Sequence, residues 1–158
     1  DWEAACAPAG EAGLRVVHLR IGTVLAREGG ALARLVPLYR LGLGGPLGSG
    51  RQFMSWIALA DLVAAIRFCL EREDLAGPVN LVAPEACRQA EFARALGRTL
   101  GRPAILPAPG PALRLLLGEM GRELLLAGAA VRPARLAAAG FRWQQPRLEG
   151  ALAALLRD

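Results

Sequence analysis

Apolar and polar positions along the 158 residues fall into blocks that read in turn as strands and helices. "LRVVHLR" (Leu14–Arg20) is an almost unbroken apolar run after Gly13, the pattern of a strand buried on both faces. In "GALARLVPLY" (Gly30–Tyr39), Leu32, Leu35, Val36 and Tyr39 recur at helical spacing, and Pro37 is expected to strain or end that helix. A glycine-rich loop follows, then a short strand-like "FMSWI". "ALADLVAAIRFCLER" (Ala58–Arg72) predicts a strong helix with Leu62, Ala65, Ile66, Cys69 and Leu70 on one face and Asp61 in its first turn. Gly77-Pro78 breaks it, and "VNLVA" (Val79–Ala83) reads as a strand. Gln89–Gly101 is an amphipathic helix striped by Phe92, Leu96 and Leu100. "PAILP" (Pro103–Pro107) is expected as a short strand.

Beyond this point the pattern turns helical. "PALRLLLGEMGRELLLAG" predicts two short helices split near Gly118, and "RPARLAAAGF" a helix from Pro133 to Gly140. "FRW" is expected as a strand, and "PRLEGALAALLR" as a last helix with Pro146 near its first turn. There is no internal repeat. Strand–helix alternation through residue 107 predicts an α/β architecture with parallel strands, followed by a small helical appendage.

Composition narrows the class. Hydrophobic residues make up 54% and charged residues 21%, a globular balance. The longest apolar run, Leu124–Val131, is far short of the ~20 residues needed to span a bilayer, so no membrane role is expected. "DWEAACAPAG" has no signal-peptide pattern and no initiator Met, and it reads like the middle of a helix, as in a piece of something longer. Cys6, Cys69 and Cys87 are too far apart for a metal clip or a disulfide framework, which points to reduced thiols in a cytoplasmic protein and to no metal site. All 19 cationic residues are Arg. Phe92–Arg147 holds nine Arg against two Glu, a net +7. These arginines are spread through helical patterns and aromatics are only 5%, which argues against a nucleic-acid partner.

In Leu41–Trp56, "LGLGGPLGSGRQFMSW", Gly42, Gly45 and Gly48 stand in a GxxGxxG register. A dinucleotide turn must follow a buried strand and open a helix. Here the glycines follow a helix and lead into a strand-like segment, and Asp61 lies in a helix rather than at the end of a second strand. The match is accidental, and a Walker loop is excluded by the absence of Lys. The same absence rules out a Tyr-x-x-x-Lys acid/base pair, since the only tyrosine, Tyr39, is followed four residues on by Leu43.

Three stretches nevertheless resemble one family: "LRVVHLRIGTVLAREGGALARLVPLYRLGLGGPLGSGRQFMSWIALADLVAAI", "GPVNLVAPEACRQAEFARALGRTLGRP" and "PALRLLLGEMGRELLLAGAAVRPARLAAAGFRW". They are similar to the epimerase-like, atypical extended short-chain dehydrogenase/reductases of the YfcH type. The resemblance implies the C-terminal part of a Rossmann-like doubly wound parallel sheet over residues 1–106. It implies a small, mainly helical C-terminal domain over residues 107–158. NAD(P) would then be the cofactor of the complete protein and a small molecule its substrate. The glycine turn and the Tyr-x-x-x-Lys pair would lie in sequence upstream. No catalytic residue is therefore expected within this chain, and no cofactor binding by it alone.

Position by position, Ile21, Gly22 and Thr23 would pass the nicotinamide end of NAD(P), and Arg51, Gln52 and Trp56 would face the substrate. Arg20, ending a buried strand, should find an acidic or phosphate partner. Met54 and Ser55 stand where nucleotide-sugar epimerases of the family carry an Arg-Asp pair, which puts a nucleotide-sugar substrate in doubt. Arg88 replaces a capping Thr or Ser, at about 1 kcal/mol. On this reading the isolated chain should aggregate, dimerise or need its N-terminal half. The alternative is a non-catalytic binding module that pairs with a separate nucleotide-binding chain.

Overall fold

The computed structural model describes residues 2–106 and 128–157. A 3-10 turn (Ala4–Cys6) and the short helix α1 (Ala7–Glu11) precede strands β1 (Val17–Ile21) and β2 (Thr23–Leu25). Helix α2 (Gly30–Arg40), strands β3 (Phe53–Met54) and β4 (Trp56–Ala58), helix α3 (Leu59–Glu71), strand β5 (Gly77–Leu81), strand β6 (Cys87–Arg88) and helix α4 (Gln89–Leu100) follow. The chain closes with α5 (Ala134–Ala138) and α6 (Leu148–Leu156). The two short helices expected around Gly118 lie outside the described residues.

The α/β class with parallel strands is as expected. β1 pairs with β5 in parallel, Val17 opposite Gly77 through Ile21 opposite Leu81. β2 pairs with β4 in parallel, Thr23 opposite Trp56 and Leu25 opposite Ala58. β3 and β6 form a small antiparallel pair. "FMSWI" is thus two strands, because Ser55 turns the chain from one partner to the other.

Several local expectations are corrected. β1 is not buried on both faces. Its residues are half-buried or exposed, and among the described residues it has a partner on one edge only. Leu14 and Arg15 precede it, and the Arg15 guanidinium donates to the carbonyls of Cys69 and Leu70 in the last turn of α3 and of Leu75 in the turn that follows. The Cys69 and Leu70 carbonyls belong to the last turn, which has no intrahelical donors, so the arginine caps the helix. Pro37 does not end α2, since the helix runs on to Arg40 with the Leu41 N–H donating to the Pro37 carbonyl. On α3, Leu70 points outward. Residues 103–106 form no strand; one bond, from the Leu106 N–H to the Gly44 carbonyl, ties them down. "FRW" is likewise no strand: Phe141 meets Phe68 and Trp143 edge-on, and the Trp143 indole donates to the Val82 carbonyl.

Two apolar clusters share one wall. Trp56 and Ala58 face the cluster built by α2, α4 and α6, while Ile57 faces the cluster built by α3, β5 and Leu136 of α5. Successive strand residues point to opposite faces, so β4 serves both sides at once. The described residues after 128 take part in both clusters, through Leu136 and Phe141 on one side and Leu148, Ala151 and Leu152 on the other.

A fully buried carboxylate fixes that tail. Asp61 accepts the backbone N–H groups of Gln144 at 2.7 Å and Gln145 at 2.9 Å. Asp61→Ala removes a buried acceptor from two main-chain N–H groups and should cost about 2 kcal/mol in urea denaturation, with Asp61→Asn costing less. Tyr39 is buried, donates to the Gly45 carbonyl at 3.1 Å, and is pushed up to about 12 by desolvation. Folding favours the neutral phenol, so its contribution is complete below its ordinary pKa of 10.0 and is lost as pH rises through about 12. As the only tyrosine, it should show its phenolate absorbance with a midpoint near 12 in the native protein. A titration centred near 10 in folded protein would contradict the burial.

Candidate functional site

In open parallel sheets, ligands bind outside the carboxyl ends of the strands. At that end of β1, Ile21 is 49% exposed. The Gly22 N–H donates to the Leu81 carbonyl at 3.2 Å, and the Thr23 N–H to the Ser55 carbonyl at 2.8 Å. Gly22 sits at a crossing of backbones. A Cβ there would lie 2.7 Å from the Ser55 carbonyl oxygen and 2.8 Å from a Val82 methyl. The Thr23 hydroxyl makes no hydrogen bond among the described residues. Ile21, Gly22 and Thr23 therefore form one short surface against Ser55, with Thr23 in register with Trp56.

The substrate-side candidates divide. Arg51 is exposed, and its guanidinium has no hydrogen-bond partner among the described residues. Gln52 spends its amide inside the loop: Nε2 donates to the Leu47 carbonyl at 2.9 Å and Oε1 accepts from Ser49 at 3.3 Å. Trp56 is 1% exposed in the core, and its indole N–H is buried without a hydrogen-bond partner among the described residues. It also borders a groove of about 410 Å³ between α4 and the start of α6, ringed by Glu85, Arg94, Arg98, Arg147 and Glu149. Arg20 meets its expected acid, with Glu3 accepting two bonds at 2.7 and 2.8 Å. The guanidinium holds the Glu3 carboxyl below its ordinary range.

The glycine loop docks a helix rather than a phosphate. The first N–H groups of α4 donate to it, Gln89 to the Gln52 carbonyl at 2.9 Å and Ala90 to the Gly50 carbonyl at 3.0 Å. Gly50 has φ of 66° and lies so close that a Cβ would be 2.9 Å from that of Ala90. The buried Gln89 returns the contact by accepting the Leu47 N–H at 2.7 Å. Glu91 accepts the Arg88 N–H at 2.6 Å, so α4 is capped without a Ser or Thr.

Comparison with known proteins agrees with the fold. An epimerase family protein of Mycobacterium bovis is 46% identical over 152 residues, 96% of this chain and 50% of that protein. The crystal structure of human epimerase family protein SDR39U1 with NADPH superposes with a TM-score of 0.80 at 38% identity, covering 90% of this chain and 48% of that one. Over nearly its whole length the chain is similar to epimerase family proteins. A nucleoside-diphosphate sugar epimerase from Corynebacterium glutamicum matches with a TM-score of 0.77 at 30% identity, over 98% of this chain and 29% of that one. Residues 108–155 match the family described as Domain of unknown function (DUF1731). The chain spans about half the length of the curated relatives it matches, and structural neighbours are matched over their C-terminal half.

Sequence reasoning missed Asp61 as an anchor, and it passed over the contacts of Ser55 and Asn80. The first-turn position of Asp61 was visible, but its partners lie 83 and 84 residues away. Gly22→Ala should lower stability by about 2 kcal/mol, because the added methyl meets a backbone oxygen that cannot swing aside. Gly10→Ala, with open space around its Cβ, is the control in thermal denaturation and should be near neutral.

Proposed function

We propose that this chain supplies the nicotinamide-side loop and the substrate-side wall of an NAD(P)-dependent epimerase- or oxidoreductase-like protein. The observation that carries the reading is the placement of Ile21, Gly22 and Thr23 at the carboxyl end of a parallel strand pair, beside Ser55. The human relative crystallised with NADPH supports NAD(P) as the cofactor. Bound there, the nicotinamide supplies hydride chemistry. Ile21 offers an apolar face, Gly22 close backbone approach, and Thr23 a hydroxyl. The exposed Arg51 guanidinium would fork onto an anionic substrate oxygen. Gln52 shapes the loop that carries Arg51, and Trp56 backs the wall from the core.

The phosphate-binding turn and the Tyr-x-x-x-Lys pair are assigned to the further length that the relatives possess, so the 158 residues alone are read as inactive. The free thiols Cys6, Cys69 and Cys87 fit a reducing, cytoplasmic setting. No helix among the described residues is long and apolar enough to cross a membrane.

The test is calorimetric titration of NADPH into the chain alone and into the chain combined with the dinucleotide-binding half of the Mycobacterium bovis relative. The expected result is no binding alone and micromolar binding in the complex. Micromolar binding or turnover by the chain alone would overturn the reading, and a stable monomer that neither pairs nor binds would favour a stand-alone interaction module.

A further inference from the structure

Residues 128–132 return from the far end of the chain and lie across the strand ends beside the candidate nicotinamide loop. Gly128 rests against the Gln52 side chain and the Phe53 backbone. The Ser55 hydroxyl then takes both of its roles on this segment, donating to the Ala129 carbonyl at 2.7 Å and accepting the Val131 N–H at 2.9 Å. Asn80 Nδ2 donates to the Arg132 carbonyl at 3.1 Å. Asn80 lies one residue before the carboxyl end of β5, opposite Arg20 of β1. The segment is therefore a strap pinned at two places, above β3–β4 and above the β1–β5 pair.

Ser55 also holds the loop underneath. Its carbonyl accepts the Thr23 N–H at 2.8 Å and lies closest to the missing Cβ of Gly22. One residue thus joins the loop through its main chain and the strap through its side chain. A hydroxyl that gives its one proton to a carbonyl and accepts a main-chain N–H in this way fixes the geometry of the segment it bonds.

We propose that the strap 128–132 is a further wall of the nicotinamide-side site and that Ser55 is its positioning residue, set by the bidentate bond of its hydroxyl to Ala129 and Val131. The inference rests on the reading of Ile21–Thr23 given above. It adds a part that the loop alone does not provide: a cover that excludes water from the strand ends. Without the hydroxyl, the Val131 N–H and the Ala129 carbonyl lose their partners and the strap comes loose at Ser55, held only by Asn80, while the backbone bond to Thr23 is kept.

The test uses the same complex of this chain with the dinucleotide-binding half of the relative. Ser55→Ala, Ser55→Thr and Asn80→Ala are compared with the unaltered chain by NADPH titration, NADPH fluorescence and hydrogen exchange at the Val131 amide. Ser55→Ala is expected to weaken NADPH about tenfold, red-shift its emission and abolish Val131 protection. Ser55→Thr, which keeps the hydroxyl, should restore all three. Asn80→Ala should loosen the strap without touching Ser55 and weaken NADPH to a lesser degree. Unchanged Val131 protection in Ser55→Ala overturns the pin. Lost protection with unchanged NADPH affinity and emission overturns the wall. Absence of NADPH binding by the unaltered complex overturns the reading of the site itself and this inference with it.

Discussion

The structure depends on a three-residue strand that is buried on both faces. Trp56, Ile57 and Ala58 have essentially no exposure, and their side chains alternate between two apolar clusters. Leu81 and Ala83 repeat the division at the end of β5. A sheet edge this short cannot hold itself together by its own ladder. It is held because helices cover it from both sides, and the alternation of β4 commits α2, α4 and α6 to one side and α3 and α5 to the other. The candidate loop at Gly22–Thr23 inherits its position from this wall, since Thr23 is in register with Trp56.

The second constraint is the satisfaction of backbone groups at helix ends. The sequence has 19 arginines and no lysine. Among the described residues, arginines that donate to main-chain carbonyls include Arg15 at the end of α3, Arg27 to residue 157, Arg72 to Ala139, Arg88 to Arg51 and Arg135 to Pro78. A guanidinium offers five donors in a rigid fork and reaches carbonyls far along the chain. Much of the basic charge is therefore structural mortar. Arg20–Glu3, Arg67–Glu71, Arg72–Asp74 and Arg98–Glu149 pair at the surface and contribute little each. Arg51, on the glycine loop, is among those with neither kind of partner among the described residues.

Glycines at the loop serve close approach rather than phosphate binding. The loop's carbonyls take up the first N–H groups of α4, and Gln89 and Gln52 stitch the two together through Leu47. Such a loop rigidifies the segment that presents Arg51. The same economy appears at Ser55, where carbonyl and hydroxyl serve different neighbours.

Helical periodicity, the strand-like apolar runs and the exclusion of a dinucleotide turn were legible in the sequence because each is a local property of spacing. The helices α2, α3, α4 and α6 lie close to where their patterns put them, and the family resemblance followed from the stretches around them. The tertiary structure decided what local pattern cannot carry. Burial of β1 depends on neighbours that periodicity does not specify. "FRW" and residues 103–106 have no strand partner among the described residues, and no sequence window reports whether one exists. Asp61 to Gln144, Ser55 to Val131 and Trp143 to Val82 are contacts between residues 61 to 83 positions apart. Their pairing is set by how the two clusters pack on either side of β4, so only the folded chain could bring the strap, the loop and the buried carboxylate to their places.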